Sequence, residues 1–89
     1  MIECNSIDEV RNNINNIDEQ IVKLIALRGH FVNQAAKFKK DSNAVKAPKR
    51  VEEVINKVKD LAKSAGANEE VVENVYRTMI DSFIKLEMK

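Results

Sequence analysis

Ser6-Ile7-Asp8-Glu9-Val10-Arg11-Asn12-Asn13-Ile14-Asn15-Asn16-Ile17-Asp18-Glu19-Gln20-Ile21-Val22-Lys23-Leu24-Ile25-Ala26-Leu27-Arg28 is the stretch that decides the fold. Ile7, Val10, Ile14, Ile17, Ile21 and Leu24 recur at alternating steps of three and four, the period of a helical seam. The pattern runs on through Phe31, Ala35 and Phe38, with no proline and with Gly29 as its one glycine. Ser6 followed three residues later by Glu9 has the form of a capping box, which marks the helix start. A helix from Ser6 to Lys40 would be roughly 50 Å long. A compact domain of this size has a radius of gyration of only roughly 12 Å. Most of the seam must therefore be covered by another chain, and the expectation is a dimer.

The rest of the composition agrees. At 89 residues the chain has room for one domain, 1–89, and it buries only roughly 60% of its unfolded surface alone. Two glycines, one proline and four aromatic residues are too few for a β-sandwich or barrel. Balanced charge, fifteen Lys and Arg against fourteen Asp and Glu, excludes the basic field of a general nucleic-acid binder but permits a small cationic pocket. Cys4 is the sole cysteine, which rules out an intrachain disulfide and a cysteine metal cluster. The polar opening is unlike a signal peptide, and no apolar run approaches the roughly 18 residues of a membrane span. A cytoplasmic protein without membrane or nucleic-acid partners is expected.

Downstream, residues 41–46 form a polar connection to Ala47-Pro48, where Pro48 suits the first turn of a second helix. Val51, Val54, Ile55, Val58, Leu61, Ala62 and Ala65 are that helix's stripe, and Gly66 is its terminator. Asn68 caps a third helix, whose stripe is Val72, Val75, Tyr76, Met79, Ile80, Phe83 and Ile84. The predicted architecture is all-α: one very long helix and two of ordinary length, intertwined with a second copy.

One position violates the seam. Steps of seven from Ile7 lead through Ile14 and Ile21 to Arg28, and a buried guanidinium requires compensation. In a continuous helix Lys39 projects from the same face, roughly 16 Å further on. Val32 and Ala35 lie between them and are small enough to leave a hollow. Arg50 follows at the next helix start, where backbone N–H groups also favour an anion. Arg11 lies roughly 25 Å from Arg28 along the helix and about 100° around it, so the two cannot share one chain's pocket. In an antiparallel pair of helices they could meet across the dimer. Against this stands the plainer reading: Arg28 pairs with a carboxylate and sets register, while Glu52 or Glu53 neutralises Arg50.

These residues resemble the all-helical chorismate mutase family, the AroQ class or type II, over nearly the whole chain. The resemblance rests on Val10-Arg11, Ile14, Ile17-Asp18, Ile21, Leu24-Ile25 and Arg28, then Val32, Lys37-x-Lys39 and Ala47-Pro48-x-Arg50-Val51. It implies an intertwined homodimer of three-helix chains with two active sites and no cofactor or metal. It implies further that Arg28 binds one carboxylate of a small dicarboxylate substrate and that the neighbouring chain lends Arg11 for the other. Lys39 would contact the breaking ether oxygen, and Arg50 would line the pocket. Glu87 stands where the family commonly has a Gln that hydrogen-bonds the same oxygen, and Phe83 would form a wall. The chemistry suits these side chains, since a pericyclic rearrangement needs no nucleophile or general base. Fixed cations hold the dianion folded and stabilise charge developing on the ether oxygen. As a carboxylate Glu87 would repel that oxygen and as an acid it would donate to it, so activity is expected to rise toward mildly acidic pH.

Three positions depart from the mutase pattern. Val51 replaces a Glu that holds the ring hydroxyl, Ala47 replaces an Asp, and Phe83 replaces a small polar residue. Ala47-Pro48-Lys49-Arg50-Val51 resembles the isochorismate pyruvate-lyase branch, which releases salicylate and pyruvate. Val51 with a late Glu is similar to aminodeoxychorismate mutases. Chorismate mutase is the first expectation and these two branches are the alternatives, while a non-catalytic helical dimer represents a different class. His30, Tyr76 and Met79 are expected to be structural or surface residues, and Asp18 a structural partner of a nearby cation.

Overall fold

The computed structural model of the protein describes residues 3–89. Its elements are α1 (Ile7–Ala36), α2 (Ser42–Lys46), α3 (Pro48–Ala65) and α4 (Glu69–Glu87), with no strand among the described residues. The chain is all-α, with the long N-terminal helix and two shorter ones expected, plus the five-residue α2. It divides into two compact units, Met1–Val32 and Asn33–Lys89. No helix among the described residues is long and apolar enough to cross a membrane.

In the first unit α1 begins where the cap predicts. Ser6 Oγ accepts the Glu9 N–H at 3.1 Å. Glu9 Oε2 reaches back one residue further than in the usual box, accepting from the Asn5 N–H at 2.9 Å. Asp8 and Glu9 also place negative charge at the positive end of the helix dipole. The seam is laid open along the helix: Ile7, Val10, Ile14, Ile17, Ile21 and Leu24 are all exposed. Gly29 is the one buried residue of α1.

The long helix stops sooner than its apolar period predicts. Phe38 N–H bonds to Ala35 O at 3.0 Å and Lys39 N–H to Ala36 O at 3.2 Å, tightening the end into three-residue turns. Lys39 therefore follows the helix rather than riding on it, and its eleven-residue helical spacing from Arg28 does not hold. The competing signal is Asp41, whose Oδ1 accepts the Ala44 N–H at 2.9 Å and starts α2 within the expected polar connection. Phe38, expected to continue the seam, is 85% exposed.

Ala47 joins α2 to α3. Its N–H closes α2 on Asn43 O at 2.9 Å, while its own carbonyl accepts the Val51 N–H at 3.0 Å to open α3. Serving both helices puts Ala47 at φ 35°, ψ 61°, a left-handed conformation that costs an L-residue roughly 1–2 kcal/mol. Pro48 supplies the first residue of α3, where its missing N–H has no intrahelical partner to lose.

In the second unit α3 packs against α4. Ile55, Val58 and Ala62 are the buried hydrophobic residues, at the i, i+3, i+7 spacing of one helix face. Gly66 ends α3 at φ 74°. Its N–H bonds Lys63 O at 3.3 Å and that of Ala67 bonds Ala62 O at 2.8 Å, the two hydrogen bonds of a Schellman motif. Asn68 Oδ1 then caps α4 through the Val71 N–H at 3.0 Å. The half-buried stripe of α4 is Val72, Glu73, Tyr76, Met79, Ile80, Phe83, Ile84 and Glu87.

A charged network clasps α3 and α4 on their exposed side. Arg77 on α4 donates through both terminal nitrogens to Glu52 on α3, at 2.9 and 3.0 Å, and through Nε to Glu73 at 2.8 Å. Lys59 lies 3.5 Å from Glu73. The Arg77 hydrogen bonds hold both glutamates below their ordinary acidity range and raise the arginine's own.

Candidate functional site

Lys39 and Glu87 are brought into direct contact. Lys39 Nζ donates to Glu87 Oε2 at 3.2 Å, with side-chain exposures of 24% and 6%. The turn after Ala36 presents the lysine, and the last turn of α4 presents the glutamate. Glu87 is the end of the inward stripe through Met79 and Phe83, four residues apart each time. The helix reaches Glu87, and Met88 closes it through Ile84 O, so this carboxylate is not a frayed terminal group. The result is an ammonium fixed by a carboxylate in a setting that water reaches only partly. An ammonium has three N–H donors, and the contact with Glu87 occupies one of them.

The other candidates are placed as follows. Phe83 on α4 and Val51 on α3 are half-buried. Arg50 has a side chain 70% exposed, and its guanidinium lies 3.6 Å from Glu53, one turn along α3. Of the two acids that could have neutralised it, Glu53 does so, and Glu52 is taken by Arg77. Within this single chain Arg50 thus faces solvent at the start of α3. Arg11 is exposed and Arg28 half-buried on α1, both within the first unit. Arg28 is engaged in an interaction of its own. His30 stacks edge-on against its neighbour Phe31 at 5.7 Å, a surface ring contact.

Sequence reasoning missed two features. The Arg77 clasp was half legible, since Glu73 and Arg77 stand at i, i+4, but its cross-helix arm to Glu52 depends on the packing of α3 on α4. The second is a set of exposed lysines, Lys37, Lys40, Lys46 and Lys49, flanking Lys39 and Arg50. Their signal was the local charge count, which the near-zero total conceals.

The chain is all-helical and holds a partly buried lysine against the last turn of its final helix, and comparison with known proteins makes the class specific. Residues 10–88 match the family described as chorismate mutase type II, and the chain belongs to that family. Isochorismate pyruvate lyase of Pseudomonas aeruginosa is 28% identical over 87 residues, an alignment covering 98% of this chain and 86% of that protein. The protein is an enzyme, a chorismate mutase or a closely related pericyclic enzyme.

Proposed function

We propose that the protein rearranges chorismate to prephenate in a homodimer whose two sites each borrow Arg11 from the neighbouring chain. The allylic ether C–O bond breaks while a C–C bond forms, and no proton or electron is exchanged with the enzyme. Arg28 and the partner-donated Arg11 bind the two carboxylates and hold the enolpyruvyl arm over the ring. Lys39 donates to the ether oxygen as negative charge builds there. Arg50, Val51 and Phe83 line the ring side. The observation that carries this reading is Lys39, an ammonium held half-buried at 3.2 Å from Glu87 instead of waving in solvent. The exposed seam of α1 supports the dimer, since six large apolar residues in one row are a surface that a second copy can cover.

Chorismate consumption with product identification tests the activity, and Lys39→Ala is expected to lower kcat by about 10²-fold or more. Complementation tests the shared site. Arg11→Ala and Arg28→Ala homodimers are both inactive, whereas a reassembled equal mixture recovers about one quarter of wild-type activity, because half the dimers are mixed and each has one intact site. No recovery would mean that both arginines serve the same chain's site.

A second reading has its own support. Val51 gives a ring hydroxyl no acceptor, and the similarity to isochorismate pyruvate lyase extends over nearly the full chain. On isochorismate the same ether C–O bond would break while a ring hydrogen moves to the enolpyruvyl carbon, yielding salicylate and pyruvate. Salicylate fluorescence with isochorismate as substrate distinguishes the two. Aminodeoxychorismate completes the substrate panel, since its amine would give Glu87 a second cation to face.

A further inference from the structure

The positive charge of this nearly neutral chain is concentrated in one stretch of its sequence. Residues 37–50 carry Lys37, Lys39, Lys40, Lys46, Lys49 and Arg50 against Asp41 alone, a net +5 in a chain of net +1, so the remaining residues sum to −4. Asp41 is occupied as the cap of α2. Elsewhere in the second unit, Lys59, Lys63, Arg77 and Lys85 each lie within 4.0 Å of a carboxylate, while Lys57 on α3 is an exposed lysine outside the cluster. Lys37, Lys40, Lys46 and Lys49 are exposed, and among the described residues none has a carboxylate partner within that distance. Two flank Lys39 by one or two positions, one ends α2, and one adjoins Arg50.

We propose that these four lysines form a cationic rim that draws a doubly negative substrate toward Lys39 and Arg50 without touching the reacting atoms. The inference rests on the dicarboxylate reading of the site and adds residues to it. Single exposed charges act weakly through water, but their attractions for a dianion add, and a charged mouth raises the local concentration of its substrate. Such attraction is screened over roughly 10 Å at 0.1 M salt and reaches roughly 30 Å at 0.01 M. It acts on free enzyme and free substrate, so it enters kcat/KM and leaves kcat alone.

The experiment replaces all four residues (Lys37→Gln, Lys40→Gln, Lys46→Gln, Lys49→Gln) and measures kcat and kcat/KM on chorismate and isochorismate from 0.01 to 0.5 M salt. Helicity by circular dichroism is followed in parallel. A control carries Lys57→Gln and Lys85→Gln on the α3–α4 body. The rim variant is expected to lose about tenfold in kcat/KM at 0.01 M, converging with wild type at high salt with kcat unchanged, while the control keeps the wild-type salt slope. An unchanged slope in the rim variant overturns the proposal, and so does an equal loss in the control. If wild type turns over neither substrate, the catalytic reading fails separately. Titration of isophthalate, a small dicarboxylate, then decides the rim by NMR: salt-sensitive shifts at residues 37–50 that vanish in the variant uphold it, and equal binding by both proteins refutes it.

Discussion

Shortening Ile14 and Ile21 to alanine tests whether the seam of α1 is a dimer surface. Ile7, Val10, Ile14, Ile17, Ile21 and Leu24 are exposed by 60, 37, 49, 53, 47 and 63%. Fully burying a large aliphatic side chain is worth about 1.5–3 kcal/mol, so covering the half that each exposes contributes about 1 kcal/mol. Twelve such side chains in a symmetric pair supply about 12 kcal/mol against an association cost of about 4–15 kcal/mol, so the seam decides whether the dimer exists. Truncating two isoleucines per chain removes about 0.8 kcal/mol at each of four positions, about 3 kcal/mol in the dimer. That raises the dimer Kd by about two orders of magnitude. Alanine is the best helix former, so the loss cannot be ascribed to a weakened α1. Sedimentation equilibrium across micromolar concentrations reads the Kd, and activity per chain should become concentration-dependent over the same range. A variant with wild-type Kd, or a wild-type chain that stays monomeric throughout, would refute the reasoning.

Other predictions concern the second unit. On the proposed reading, Glu87→Gln should raise kcat on chorismate by about tenfold, since a neutral donor replaces a carboxylate beside the ether oxygen; an unchanged or lowered kcat would sink this role. Ile55, 1% exposed, is the most deeply buried of the three core residues of α3, and Ile55→Ala should destabilise by about 3 kcal/mol in denaturant melts. Arg77 depresses the acidity range of Glu52 and Glu73, so their stabilisation is fully present above the ordinary value of 4.5 and is lost as pH falls through the lowered folded values. Acid melts below about pH 4.5 should therefore be shallower in Arg77→Met, while the two proteins differ little more with pH above it.

The helix starts and stops were legible wherever one local interaction sets them. Ser6, Pro48, Gly66 and Asn68 act within three or four residues of themselves, and each does in the structure what its type implies. The end of α1 was not legible, because the apolar period continues through Phe38 while Asp41 opens a competing helix. Periodicity counts apolar residues and is blind to a cap lying just beyond them. For the candidate site, residues could be named from the sequence, but their partners within the chain could not. That Glu53 rather than Glu52 faces Arg50 follows from Arg77 arriving from another helix. That Glu87 meets Lys39 depends on where the shortened α1 releases the chain.

In the proposed site the Lys39–Glu87 contact would bear on catalysis in two opposing ways. By accepting one N–H, Glu87 fixes the ammonium and removes the entropy of a free lysine, which is preorganisation. The two N–H groups left over can still meet the ether oxygen. By its charge, however, the same carboxylate weakens the field that Lys39 exerts on that oxygen, and the loss is larger because the glutamate side chain is only 6% exposed. The effects differ in what they require of residue 87. Fixing the ammonium needs only an acceptor, which a glutamine carbonyl also provides, whereas the opposing field needs the negative charge. A substrate that brings its own amine would turn the charge from a burden into a binding contact. If Glu87 and Val51 line the site as proposed, a ring hydroxyl finds no fixed acceptor there while an amine gains one contact, and this is why the substrate panel must precede any ranking of the site's residues.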